Sequence, residues 1–150
     1  VGTSIFLTPD TSSVPRAMLH NLLHNKVLHE RVILLNVNTQ DIPHVADEDR
    51  LQVLPLAHGF YSITVNYGFS DKPDIPNALK MAEQAGMAPI EMMETSFFLG
   101  RETVVPIGKS ALPLWRQILF IWMFRNAESA TAYFKIPTNR VVELGAQIEF

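Results

Sequence analysis

His20 and His24 stand four residues apart, a spacing that puts two imidazoles on one helical face and offers two nitrogens to a metal ion. The zinc-enzyme form of this pattern carries a glutamate directly after the first histidine. Here that position is Asn21, and no third ligand is evident. The pair is better read as part of a solvated polar face, with no metal expected. Asp10, Ser12, Ser13 and His44 supply an acid, two hydroxyls and a base, the residue types of a hydrolytic triad. The G-x-S-x-G elbow that exposes a catalytic serine does not occur. The chain has no cysteine, so a thiolate nucleophile, a disulfide framework and a cysteine-based zinc site are all excluded. No enzyme activity and no cofactor are expected.

Anion binding is the other chemistry these residues could do. The turn TPDTSS, Thr8 to Ser13, leads from an apolar run into a helical pattern. Helix N-termini at the carboxyl ends of parallel strands gather unpaired N–H groups and a partial positive charge. The turn has no glycine, so neither a P-loop nor G-x-G-x-x-G is present. A ligand there would meet Thr8, Asp10, Ser12 and Ser13, with Asn36, Asn38 and Thr39 at the end of the neighbouring strand as a second wall. The plainer reading is a capped helix start. Arg101 follows another apolar run and could clamp a phosphate bidentately, although a structural ion pair with Glu102 or Asp10 is the preferred reading.

A scaffold must bring these residues together. Gly2 to Thr8 is a short apolar run stopped by Pro9, suited to a buried first strand. Ser12, Ser13 and Pro15 predict a helix start with a hydroxyl cap and a proline in the first turn. Leu19, Leu22, Leu23 and Val27 recur at helical spacing and define its expected buried face. Arg31 to Thr39 has an apolar, β-branched centre and reads as a strand buried on both sides. Strand, helix and strand at this length predict a βαβ unit with parallel strands.

Asp41 to Arg50 is polar and acidic, and a surface loop is expected there. From Tyr61 to Phe69 apolar and polar residues alternate, the pattern of a strand with one buried face, and Leu51 to Leu56 is its hairpin partner through His58 and Gly59. Asp74 to Gly86 predicts a second helix, capped by Asp74 with Pro76 in its first turn. Thr95 to Leu99 is a further strand. Ser110 offers a cap for a helix from Leu112 to about Arg125, Asn126 caps a shorter one reaching Phe134, and Arg140 to Phe150 forms the last strand. The fold class is α/β, a mixed, centrally parallel sheet flanked by helices, in one domain covering 1–150.

At 47% apolar and 18% charged residues, the chain has the composition of a folded domain and not of a disordered one. A net charge of -3 gives no broad basic field, so nucleic acid and anionic membrane surfaces are not expected partners. The longest purely apolar run, Ile118 to Phe124, falls well short of the roughly 20 residues of a membrane span. That run is apolar all round its helix, so it is either a central core helix or a contact in which Leu114, Ile118, Ile121 and Trp122 meet a second subunit. The start at Val1, followed almost at once by a strand pattern, reads as a piece of a longer protein.

Five segments in order carry a resemblance: GTSIFLT at Gly2 to Thr8, LLHNKVLHERVILLNV at Leu22 to Val37, YGF at Tyr67 to Phe69, TSFFLGRET at Thr95 to Thr103 and IPTNRVVELGAQIEF at Ile136 to Phe150. Together they resemble the C-terminal domain of the Kup family of bacterial potassium-uptake transporters, with departures such as Ile107 to Ser110 in loops. The resemblance implies a regulatory or dimerising domain on the cytoplasmic face of the inner membrane, attached to a proton-coupled importer whose ion-handling residues lie in a membrane portion outside this chain. It also implies a fold similar to universal-stress-type domains. In some such transporters this domain answers to an adenine nucleotide such as cyclic di-AMP, which makes that ligand class the alternative partner.

Overall fold

In the computed structural model the described residues are 2–9, 11–105, 113–125 and 130–149. Among these residues six strands and five helices follow in the order β1 (Thr3–Leu7), α1 (Arg16–Asn25), β2 (Arg31–Gln40), α2 (Asp47–Arg50), β3 (Leu51–Pro55), β4 (Phe60–Gly68), α3 (Ile75–Gln84), β5 (Thr95–Val105), α4 (Leu114–Arg125), α5 (Ala130–Tyr133) and β6 (Val141–Glu149). They form one sheet in the order β3-β4-β2-β1-β5-β6. Every neighbouring pair is parallel except β3 with β4, which is the hairpin expected from the sequence. This is the α/β class read from the sequence, with a parallel centre and an antiparallel edge.

Alternation along the central strands builds two cores. Ile5, Ile33, Leu35, Ile63, Val65 and Phe97 face α3, where Ile75, Ala78, Leu79 and Ala82 cover them. Phe6, Val32, Leu34 and Phe98 point to the other side, under Ala17, Met18 and Leu22 of α1. Phe6 and Phe98 stack there at 4.6 Å between ring centroids. The β3–β4 turn passes through left-handed backbone at His58 and Gly59, and a Cβ on Gly59 would lie 2.6 Å from the Glu30 carbonyl oxygen, so only glycine fits. Asp74 caps α3 as expected, its carboxylate accepting from the Asn77 N–H at 2.9 Å, with Pro76 in the first turn.

Three expectations are corrected. First, of the expected buried face Leu19, Leu22, Leu23 and Val27, Leu22 packs against the sheet while Leu19, Leu23 and Val27 are exposed, and α1 turns Ala17, Met18 and Asn21 inward. A small residue at Ala17 lets the helix sit close to the sheet, and buried Asn21 is satisfied by donating to the Val27 carbonyl and accepting from Asn25. Second, the cap position of α1 falls on a proline and not on a hydroxyl residue. Pro15 holds the cap position without a side-chain bond, and the first turn closes through Leu19 N–H to the Pro15 carbonyl. Third, Gly100 to Thr103 continue β5 instead of following it, because β6 supplies a parallel partner from Phe97–Val141 through Val105–Glu149. Within the polar 41–50 stretch, Asp47–Arg50 forms one helical turn. The proposed caps Ser110 and Asn126 lie outside the described residues.

Candidate functional site

The order of the parallel strands reverses direction at β1, which has β2 on one side and β5 on the other. At such a switch point the connections leave to opposite faces and a crevice opens at the carboxyl ends of the strands. A cavity of about 280 Å3 lies there, lined by Leu7, Thr8 and Pro9 after β1, Leu35 and Val37 of β2, Leu99 and Gly100 of β5, and Ala130 and Phe134 around α5. Its walls are mostly apolar, and none of these side chains is titratable. Thr8 is buried at its rim and its N–H donates to the Leu35 carbonyl at 2.9 Å, which fixes the path of the chain out of β1.

The other sequence-derived ligand residues fall at several places around this edge. Ser12 and Ser13 are exposed in the turn before α1. Asn36 and Asn38 alternate with Leu35 and Val37, so they lie on the α1 side of the sheet and not on the cavity wall. The Asn36 Oδ1 is buried and has no hydrogen-bond partner among the described residues. Thr39 is exposed near the end of β2, paired with Tyr67. Asp10 lies outside the described residues, and so does the Arg101 side chain; the Arg101 backbone pairs with Gly145. Among the described residues of the predicted set, Thr8 lines the cavity, and Leu35, Val37 and Leu99 beside it carry no distinguishing sequence signal because they read like other core aliphatics.

A dense polar cluster among the described residues lies elsewhere and was not anticipated. At the end of β4, the Asp71 carboxylate accepts from the Gly68 N–H at 2.8 Å and the Val45 N–H at 3.1 Å, and lies 2.7 Å from His44 Nδ1. Arg50 completes the cluster, donating to the Val45 carbonyl and sitting over the Tyr67 ring at 5.4 Å. These bonds hold the 42–46 stretch so close to β4 that a Cβ on Gly68 would lie 2.2 Å from the Pro43 carbonyl oxygen. The His44 ring and then the Gly68 and Val45 N–H groups hold the Asp71 carboxyl far below the usual carboxylate range.

A test follows from the sign of that shift. Because the folded-state value is depressed, the unfolded chain binds the proton first as pH falls, so this stabilisation is complete above about pH 4 and is lost as pH drops toward the folded value. Asp71→Asn is expected to lower the melting temperature by about 5 °C at pH 7, and the gap to wild type should close between about pH 4 and pH 2. Thermal denaturation across that range measures it; a gap that does not change with pH would show the charge is irrelevant.

The rings of His20 and His24 stack at 5.8 Å on the exposed side of α1. Among the described residues no three His, Cys, Asp or Glu side chains come together to hold a metal ion. Of the proposed contact residues on α4, Ile118 and Trp122 are exposed, while the side chains of Leu114 and Ile121 lie outside the described residues. No helix among the described residues is long and apolar enough to cross a membrane.

The strand order and the crevice define a doubly wound α/β domain with a switch-point cavity. Sequence comparison gives its family: residues 1–150 match the family model described as K+ potassium transporter C-terminal domain, and the chain belongs to that family. Similar proteins include the "Probable potassium transport system protein Kup" of Azoarcus sp. (strain BH72), 59% identical over 148 residues covering 99% of this chain and 23% of that protein. The protein of the same name from Aromatoleum aromaticum is 60% identical over the same shares. That of Zymomonas mobilis is 53% identical over 99% of this chain and 22% of its own length. The chain thus spans less than a quarter of these relatives. No solved structure matches it.

Proposed function

We propose that this chain is a single regulatory and assembly domain of a proton-coupled potassium-uptake transporter, placed on the cytoplasmic side of the bacterial inner membrane, without catalysis of its own and pairing with a second copy through α4. The observation that carries the pairing is the state of that helix: Trp115, Ile118, Leu119, Trp122 and Met123 are each 48 to 62% exposed. Five such side chains leave on the order of 600 Å2 of apolar surface in water, approaching the roughly 800 Å2 that each partner of a stable interface covers. A soluble domain rarely leaves such a patch without a partner. The helix has 12 residues, about 18 Å, against the ~30 Å of a bilayer core, so a protein surface suits it better than a membrane span. Light scattering on the purified domain should give twice the chain mass, and a strict monomer at high concentration would overturn the pairing.

A second reading, nucleotide sensing, is favoured by the switch-point cavity, since α1 begins at the same edge of the sheet and its size suits one planar ring. Calorimetric titration with adenine nucleotides including cyclic di-AMP, with potassium as a control, decides it. If a nucleotide binds there, Val37→Phe should narrow the cavity and weaken binding roughly 10-fold or more. Arg101→Ala then separates two roles: a phosphate contact loses roughly 10- to 100-fold in affinity, whereas a structural ion pair loses melting temperature instead.

A further inference from the structure

The five parallel strands all begin at one edge of the sheet, opposite the cavity, and apolar side chains stand exposed along that edge around the point where the chain enters β1. Gly2 marks the entry: its carbonyl accepts from the Arg31 N–H, and a Cβ there would lie 3.1 Å from the Glu94 carbonyl oxygen and 3.6 Å from the His29 ring. On one side of this entry, Leu23 at the end of α1 is 71% exposed, and Val27 and Leu28 in the following turn are also exposed. On the other side Met93, just before β5, is 61% exposed. Leu56, in the turn before β4, adds a fifth exposed apolar residue along the same edge.

These residues are held, not loose. Asn21 donates to the Val27 carbonyl, and the Arg31 guanidinium donates to Thr3 Oγ1 and to the Ala88 and Pro89 carbonyls, which ties the turns before β2 and β5 to the start of β1. Such a surface loses little conformational entropy when it is covered.

We propose that this amino-terminal edge is the docking face for the part of the transporter that precedes the domain, which packs an apolar segment against Leu23, Val27, Leu28 and Met93. The assignment rests on the reading of the chain as one domain of a longer transporter, as its family description and its 23% share of the relatives imply. A segment attached ahead of Gly2 meets this edge at an effective concentration on the order of millimolar, so a patch too small to recruit a free partner suffices for a tethered one. Charge gives an anionic lipid surface no attraction here: the edge carries Glu30, Glu91 and Glu94 against Lys26, Arg31 and Arg140, and Arg31 is already engaged. A second copy would lack the tether.

The test uses the full-length transporter, with any other cysteines replaced, since this chain has none. Cysteine at Leu23 or Met93 should be labelled by a soluble maleimide about 10-fold or more slowly than cysteine at Phe69, which is similarly exposed in this domain but lies at the opposite end of the sheet. Equal rates at all three positions would overturn the docking. A photo-crosslinking amino acid at Leu28 should capture peptides from the preceding part of the same chain. Capture of a second copy of this domain, or of lipid, would overturn it as well. Potassium uptake by the full-length protein, measured in cells lacking their own importers, tests the transporter reading separately: its absence sinks that reading and leaves the crosslinking result standing on its own.

Discussion

Trp122→Glu is expected to convert a dimer of this domain into folded monomers, raising the dissociation constant by about 100-fold or more. The indole is 62% exposed in the single chain, so the substitution removes little from the chain's own core. At an α4 interface the same substitution removes an aromatic anchor and puts an unpaired carboxylate into an apolar contact, which costs several kcal/mol of binding. Sedimentation or light scattering across a concentration series measures the shift, and circular dichroism checks the fold. An unchanged mass would remove α4 from the interface. An unfolded chain would mean the helix is a core element after all. Leu54→Glu, at a position of β3 equally open to water, is the control and should leave the association unchanged.

Phe6→Ala should nearly unfold the domain, lowering stability by about 3 to 5 kcal/mol. A domain of ordinary stability has only about 5 to 15 kcal/mol in total. Phe6 is fully buried in the central strand, beneath α1 and stacked on Phe98, so truncation leaves a cavity at the junction of β1, β5 and α1 that rigid backbone cannot close. Urea titration gives the magnitude. Phe69→Ala, at a position 63% exposed, should change stability by no more than about 0.5 kcal/mol. A double-mutant cycle with Phe98→Ala should return a coupling of about 0.5 to 1.5 kcal/mol for the stacked pair, and additivity would show that the stack contributes nothing beyond burial.

What was legible in the sequence were features written in local signals. The alternation from Tyr61 to Phe69 gave β4 and its polar face, and Asp74 with Pro76 gave the start of α3, because a strand's two faces and a helix's first turn are specified by neighbours within a few residues. The family resemblance was legible for a different reason: five short segments in order are specific even when none is alone.

The features that depend on which elements meet were settled only by the tertiary structure. In α1 two apolar stripes compete, and Ala17, Met18 and Asn21 win the inward side because a small residue permits close packing and Asn21 finds partners at Val27 and Asn25. Helical spacing alone ranks the larger stripe of Leu19, Leu23 and Val27 higher. Charged residues at Arg101 and Glu102 suggested an end to β5, yet the strand runs on because β6, some forty residues later, supplies the ladder. The clasp at Asp71 joins side chains 27 residues apart, a distance at which no periodicity carries information. At the crevice the difference is a single step of parity: Leu35 and Val37 line the cavity while Asn36 and Asn38 face α1. Successive side chains of a strand point to opposite faces, and only the packing of the whole sheet decides which face the crevice opens on.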